Sequence, residues 1–120
     1  MSNIMFVETF RIKVYVIADY LEQVLDAIAS ATNLKYGNYD GVSWCSHPGI
    51  ERCTPRAGSD TYGGEIDKPF SIASTKIEFS IPRDKELLSK VVASIFEHHP
   101  WDEPVICITE SVDTRKNGVV

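Results

Sequence analysis

No run in this 120-residue sequence is long and apolar enough to span a membrane. The opening MSNIMFVETFRIKVYVI is interrupted by Glu8, Arg11 and Lys13, so it reads as neither a membrane span nor a secretory leader. Cysteine is scarce. Cys45, Cys53 and Cys107 are an odd count with no CxxC pair, which excludes a disulfide framework and fits a reducing, cytoplasmic setting. A basic stripe is missing as well: 12 Lys and Arg face 17 Asp and Glu, for a net charge of −5. That balance argues against nucleic acid or an anionic membrane as a partner. HExxH and the phosphate-binding GxxxxGK[ST] are absent, and no fixed repeat runs through the chain. What is left is one soluble-type domain over 1–120, with an ordered core expected over about 8–112, at 43% hydrophobic and 24% charged residues.

Residues 1–7 read as a loose start. In ETFRIKVYVI, Phe10, Ile12, Val14 and Val16 alternate with Arg11, Lys13 and Tyr15, a period of two that predicts a strand. ADYLEQVLDAIASATN places Leu21, Val24, Leu25 and Ile28 at helical spacing, with Asp19 and Glu22 in a capping-box pattern. VSWCSHPGIERCTP predicts a second strand, broken near Pro48-Gly49, before the long polar loop RAGSDTYGGEIDKP. FSIASTKIEFSIP is a third strand. RDKELLSKVVASIFEHH is a second helix, with Leu88, Val91, Val92, Ile95 and Phe96 on one face, and Pro100 stops it. VICITESV is a fourth strand, and DTRKNGVV reads as a frayed tail. Strand, helix, strand, strand, helix, strand is the α+β, ferredoxin-like (βαββαβ) arrangement: an antiparallel four-stranded sheet with two helices on one face. The last strand is apolar on both sides and falls at an edge, which calls for a cover. Sister copies are the simplest cover, and a folded-back tail is the other.

Chemistry concentrates in EHHPWDEP, residues 97–104. His99 and Glu103, with Asp102 and with His98 or His47, offer nitrogen and carboxylate oxygen that suit a divalent metal ion. The plainer reading is a helix terminator stiffened by two prolines, with Trp101 packing inward. Cys45 and His47 share a face if extended, as a nucleophile pair or a metal corner would, but no orienting third group stands near in sequence. Arg56 within the glycine-rich loop could help hold an anion on backbone N–H groups.

GNYDGVSW (37–44), PRAGSDTYGG (55–64) and HPWDEP (99–104) together resemble the YqfO, or Nif-three-like, family. More narrowly, they are similar to its PII/CutA-like insert domain, which also occurs alone. Gly37, Asn38, Tyr39 and Asp40 carry the first motif, Gly58 and Ser59 the middle. His99, Pro100, Trp101, Glu103 and Pro104 carry the last, with Asp102 at a position where the family usually has glutamate. The resemblance implies a fold akin to PII and CutA, and a homo-oligomer, a trimer above all. It does not imply the dinuclear metal chemistry suspected of full-length members, whose ligands lie in the two flanking halves. On this reading the chain binds a small ligand, a metal ion or a partner protein and does not catalyse a reaction. A metal-dependent hydrolase-like enzyme and a purely structural assembly module are the alternatives. The expected ligand site is Asn38, Tyr39, Asp40, Arg56, His99, Trp101, Asp102 and Glu103, gathered in a cleft between subunits, with His99 and Glu103 as the metal candidates.

Overall fold

The computed structural model describes residues 3–120. Strand β1 spans Ile4–Ile17 and runs through a short 3-10 turn, Ala18–Tyr20, into helix α1, Leu21–Ala31. Two short strands follow, β2 (Trp44–Cys45) and β3 (Gly49–Cys53). Then come β4 (Phe70–Pro82), helix α2 (Lys85–His98) and β5 (Ile106–Lys116). The sheet order is β2-β4-β1-β5, with β3 also paired to β4, and every pairing is antiparallel. β2 and β3 are thus one edge strand interrupted at 46–48, where Pro48 cannot donate to a ladder. The predicted fold class holds, and β5 is the other edge.

Register makes the core. Val14 lies between Ile77 and Ile106, and Ile12 between Phe79 and Ile108. Cross-strand partners share a face, so the branched side chains stack toward the helices. There Val24 and Ile28 of α1 and Val91 and Ile95 of α2 meet them, all at 0% exposure. Each such side chain contributes roughly 1.5–3 kcal/mol by leaving water. On the open face the alternate residues Arg11, Lys76 and Glu78 form an ion-paired group, Arg11 Nε lying 2.9 Å from Glu78.

Asp84 caps α2, accepting from the N–H groups of Glu86 at 2.9 Å and Leu87 at 3.3 Å. Asp19 does not cap α1. It falls inside the 3-10 turn, Tyr20 takes the N-cap position, and no side chain bonds there. The apolar face of α2 is narrower than its sequence suggests, since Phe96 is 48% exposed.

Two expectations at the ends are corrected. The start read as loose over 1–7 is strand from Ile4 onward; Met1 and Ser2 lie outside the described residues. The tail read as frayed from Asp113 is strand through Lys116. The cause is mutual: Ile4 to Val7 pair with Lys116 to Asp113, so each supplies the other's main-chain partners. This two-stranded extension carries Ile4, Phe6 and Val112 at 59%, 72% and 58% exposure. Beyond it the chain turns back: Asn117 N–H meets Asn3 O, and Gly37 N–H donates to Val120 O. The tail packs against the 36–39 loop and does not lie over the β5 edge.

Candidate functional site

His99 is the hinge of the segment that sequence analysis singled out. It directly follows α2, its own N–H still donating to Ile95 O at 2.8 Å. Its side chain is 8% exposed and reaches β1. Nε2 lies 2.7 Å from Tyr15 O, and Nδ1 accepts from Trp101 N–H at 3.0 Å. A nitrogen that accepts from an amide carries no proton, so the proton sits on Nε2 and is donated to the Tyr15 carbonyl. Burial lowers the His99 pKa below its ordinary value, partly opposed by the Tyr15 bond and by Glu51 nearby. The ring is therefore a neutral strut between the end of β1 and the 101–105 segment. With both nitrogens engaged, a metal ion at His99 would have to displace one partner. Among the described residues no three His, Cys, Asp or Glu side chains are placed to hold a metal ion.

Downstream of this strut, Trp101 packs beside Phe70 with ring centroids 6.5 Å apart. Its indole N–H is buried and has no hydrogen-bond partner. Asp102 turns outward and accepts from Asp60 N–H at 3.0 Å, tying the segment to the glycine-rich loop. That loop is shaped locally. Ser59 donates back to Arg56 O from both its N–H and its hydroxyl, and Gly58 adopts φ +97°. Gly64 combines φ +81° with a position where a Cβ would come within 2.9 Å of the Phe70 ring. Only glycine fits so closely against that ring with that backbone. Between loop and segment opens a cleft of about 400 Å³, lined among others by Arg52, Arg56, Tyr62, Trp101, Asp102 and Glu103. Arg56 is already paired with Asp67 at 3.1 Å.

Arg56, Trp101, Asp102 and Glu103 thus meet in one cleft, with His99 behind it as support. Asn38, Tyr39 and Asp40 are not close by in the same chain. Tyr39 pairs back on Tyr36, and with Asn38 it borders a separate hollow of about 720 Å³ beside Ile4 and Lys116. That is the far end of β1 from Tyr15, about 35 Å away at strand rise. Cys45 and His47 lie at the β2 edge outside the cleft; burial, then Glu22, raises the Cys45 pKa. Sequence reasoning missed Arg115, which is buried with its guanidinium 3.4 Å from the Tyr36 ring. The alternation of Ser111, Asp113 and Arg115 with Val112 and Thr114 was the available signal.

No family model matches the sequence, and no curated protein matches it significantly. Solved structures do. A Bacillus cereus protein related to NIF3 superposes with a TM-score of 0.72 at 21% identity, over 93% of this chain and 28% of that one. This chain thus spans little more than a quarter of that protein. CutA1 from Oryza sativa gives 0.60 at 12% identity, over 88% and 81% of the two chains. CPII from Thiomonas intermedia, bound to ADP and bicarbonate, gives 0.56 at 12%, over 91% of each. No helix among the described residues is long and apolar enough to cross a membrane. At these identities the likeness is one of fold, and the chain is an α+β domain of the ferredoxin-like, PII/CutA-like kind, shared with CutA, the PII-like proteins and a segment of a NIF3-related protein.

Proposed function

We propose that this chain is a cytoplasmic ligand-binding module that assembles as a homotrimer and takes a small molecule into the cleft between the glycine-rich loop and residues 101–105. The carrying observation is the wall of that cleft: a buried indole N–H of Trp101 without a partner, beside main chain that His99 and Asp102 hold in place. A donor left unsatisfied in the protein costs about 1–3 kcal/mol, which a ligand acceptor would return on binding. A cleft of about 400 Å³ is within the range of small-molecule pockets. The PII-like protein of similar fold holds ADP and bicarbonate. Here Asp102, Glu103 and the Arg56–Asp67 pair leave little free positive charge at the cleft. An uncharged, flat molecule with an acceptor on its edge therefore suits it better than a polyphosphate. Assembly would also bring the Asn38–Asp40 loop of one copy within reach of another copy's cleft, which one chain cannot do.

Thermal-shift screening of nucleosides, nucleotides and divalent metals against the purified chain is the direct test, because a specific binder raises the melting point. Trp101→Phe keeps the ring and removes the N–H, so it should weaken the best hit about threefold to tenfold. A full screen without a single stabilising compound would end the proposal, as would a hit that Trp101→Phe leaves untouched. Light scattering should return the mass of three chains; a monomer would remove the assembly.

A further inference from the structure

At the other end of the sheet, the chain leaves α1 and crosses from the helix side to the open face. Leu34 makes this crossing at φ +52°, and its carbonyl and that of Asn33 accept from Val42 and Gly41 as the loop returns. Beneath the crossing lies a cavity of about 250 Å³. Thr9, Lys35 and Arg115 supply polar wall; Val7, Ile81 and Leu87 supply apolar wall. None of these residues belongs to the cleft described above.

Two of the polar groups are inside the protein, Thr9 at 2% exposure and Arg115 at 7%. Thr9 Oγ1 has no hydrogen-bond partner among the described residues. Arg115 donates from Nε to Val120 O and from Nη1 to Thr114 O, both at 2.9 Å. A guanidinium has five N–H donors, so most remain unused. A buried arginine is ordinarily matched by a carboxylate in hydrogen-bond contact. Here the nearest, Asp113 Oδ2, is 3.9 Å away and itself makes no hydrogen bond. Tyr36 stacked on the guanidinium fixes its plane. Glu8, the acid on the cavity wall, is already held by Arg83 at 2.7 Å.

We propose that this cavity binds a small aliphatic monocarboxylate. Its carboxylate meets Arg115 and the Thr9 hydroxyl, with Lys35 adding charge at the mouth, and its hydrocarbon body lies against Val7, Ile81 and Leu87. The apolar wall separates this ligand from an inorganic anion. A volume below the roughly 300–1,000 Å³ of pockets for drug-sized molecules separates it from a nucleotide.

The whole chain is titrated with butyrate and followed by amide NMR, with butyramide and inorganic phosphate as comparators. Butyrate should shift the Thr9, Gly37 and Arg115 resonances saturably, and butyramide, which lacks the charge, should not. Thr9→Val preserves shape and should weaken butyrate about threefold to tenfold, the loss of one hydrogen bond. Arg115→Met should abolish binding; if that variant does not fold, Thr9→Val alone decides. No saturable shift with butyrate, an equal response to butyramide, binding of phosphate in its place, or unchanged affinity in Thr9→Val would each overturn the assignment.

Discussion

Replacing His99 by alanine removes one ring and breaks two bonds at once. The Tyr15 carbonyl and the Trp101 N–H lose their partners, at 2.7 and 3.0 Å respectively. A buried group stripped of its partner costs about 1–3 kcal/mol. Both belong to half-buried residues, so the lower end applies to each, and lost packing of a ring that is 8% exposed adds to it. The expected loss is about 3 kcal/mol, a severe change for a domain of this size. Tyr15 N–H still donates to Val105 O at 3.1 Å, so the variant keeps its last strand in place and should fold. The assay is urea unfolding at fixed protein concentration, at pH 7.5 and again at pH 5.5. His99 is held neutral by burial, and its folded pKa lies below the ordinary value. As pH falls below about 6.5, the unfolded chain takes up a proton that the folded chain refuses, so the native protein loses stability through this group. The variant lacks that group. The gap between the two proteins should therefore narrow on acidification, by no more than about 1.4 kcal/mol per pH unit. A cost under about 0.5 kcal/mol, or a gap that does not change with pH, would refute the role of His99 as a neutral strut.

Three other substitutions probe the frame around the sites. Asp84→Ala removes the cap of α2 and should cost about 1 kcal/mol by chemical denaturation, with Asp84→Asn recovering most of it. Gly64→Ala places a Cβ against Phe70 at φ +81° and should lower stability by about 1–3 kcal/mol, with no change in α2 or β5 by NMR. Arg83 joins Glu8, the Thr9 carbonyl and the Ser111 carbonyl, so Arg83→Met should loosen the β1–β5 extension. Faster amide exchange of residues 4–8 and 111–116 than in the parent would show it.

Much of this architecture could be read before any coordinates. The alternation in FRIKVYV and in TKIEFSIP is strict because one face of each strand meets helices and the other meets water, and such patterns survive in the sequence. The break at Pro48-Gly49 was legible for a similar reason: proline's missing donor is a local property. The capping role of Asp19 was not, because it depends on where β1 ends and the 3-10 turn begins, a matter of tertiary packing. Arg115 and its neighbours read as a polar tail because strand pairing with Ile4–Val7 joins segments more than a hundred residues apart. The candidate site divided along the same line. Contiguous residues such as Trp101 to Glu103 share a cleft, whereas motifs far apart in sequence, GNYD and HPWDEP, sit at opposite ends of one strand.

The side of the sheet turned away from the helices bears Arg11, Glu78 and Lys76 in a linked group, with Lys76 Nζ also 4.9 Å above the Trp44 ring. A sister copy seated there meets a mosaic of fixed charges where a greasy plane would accept any neighbour. Removing water from that mosaic is expensive unless every charge finds its opposite. Wrong registers are thereby rejected, and correct ones weaken as ionic strength rises. The helices supply cohesion; the opposite surface supplies discrimination.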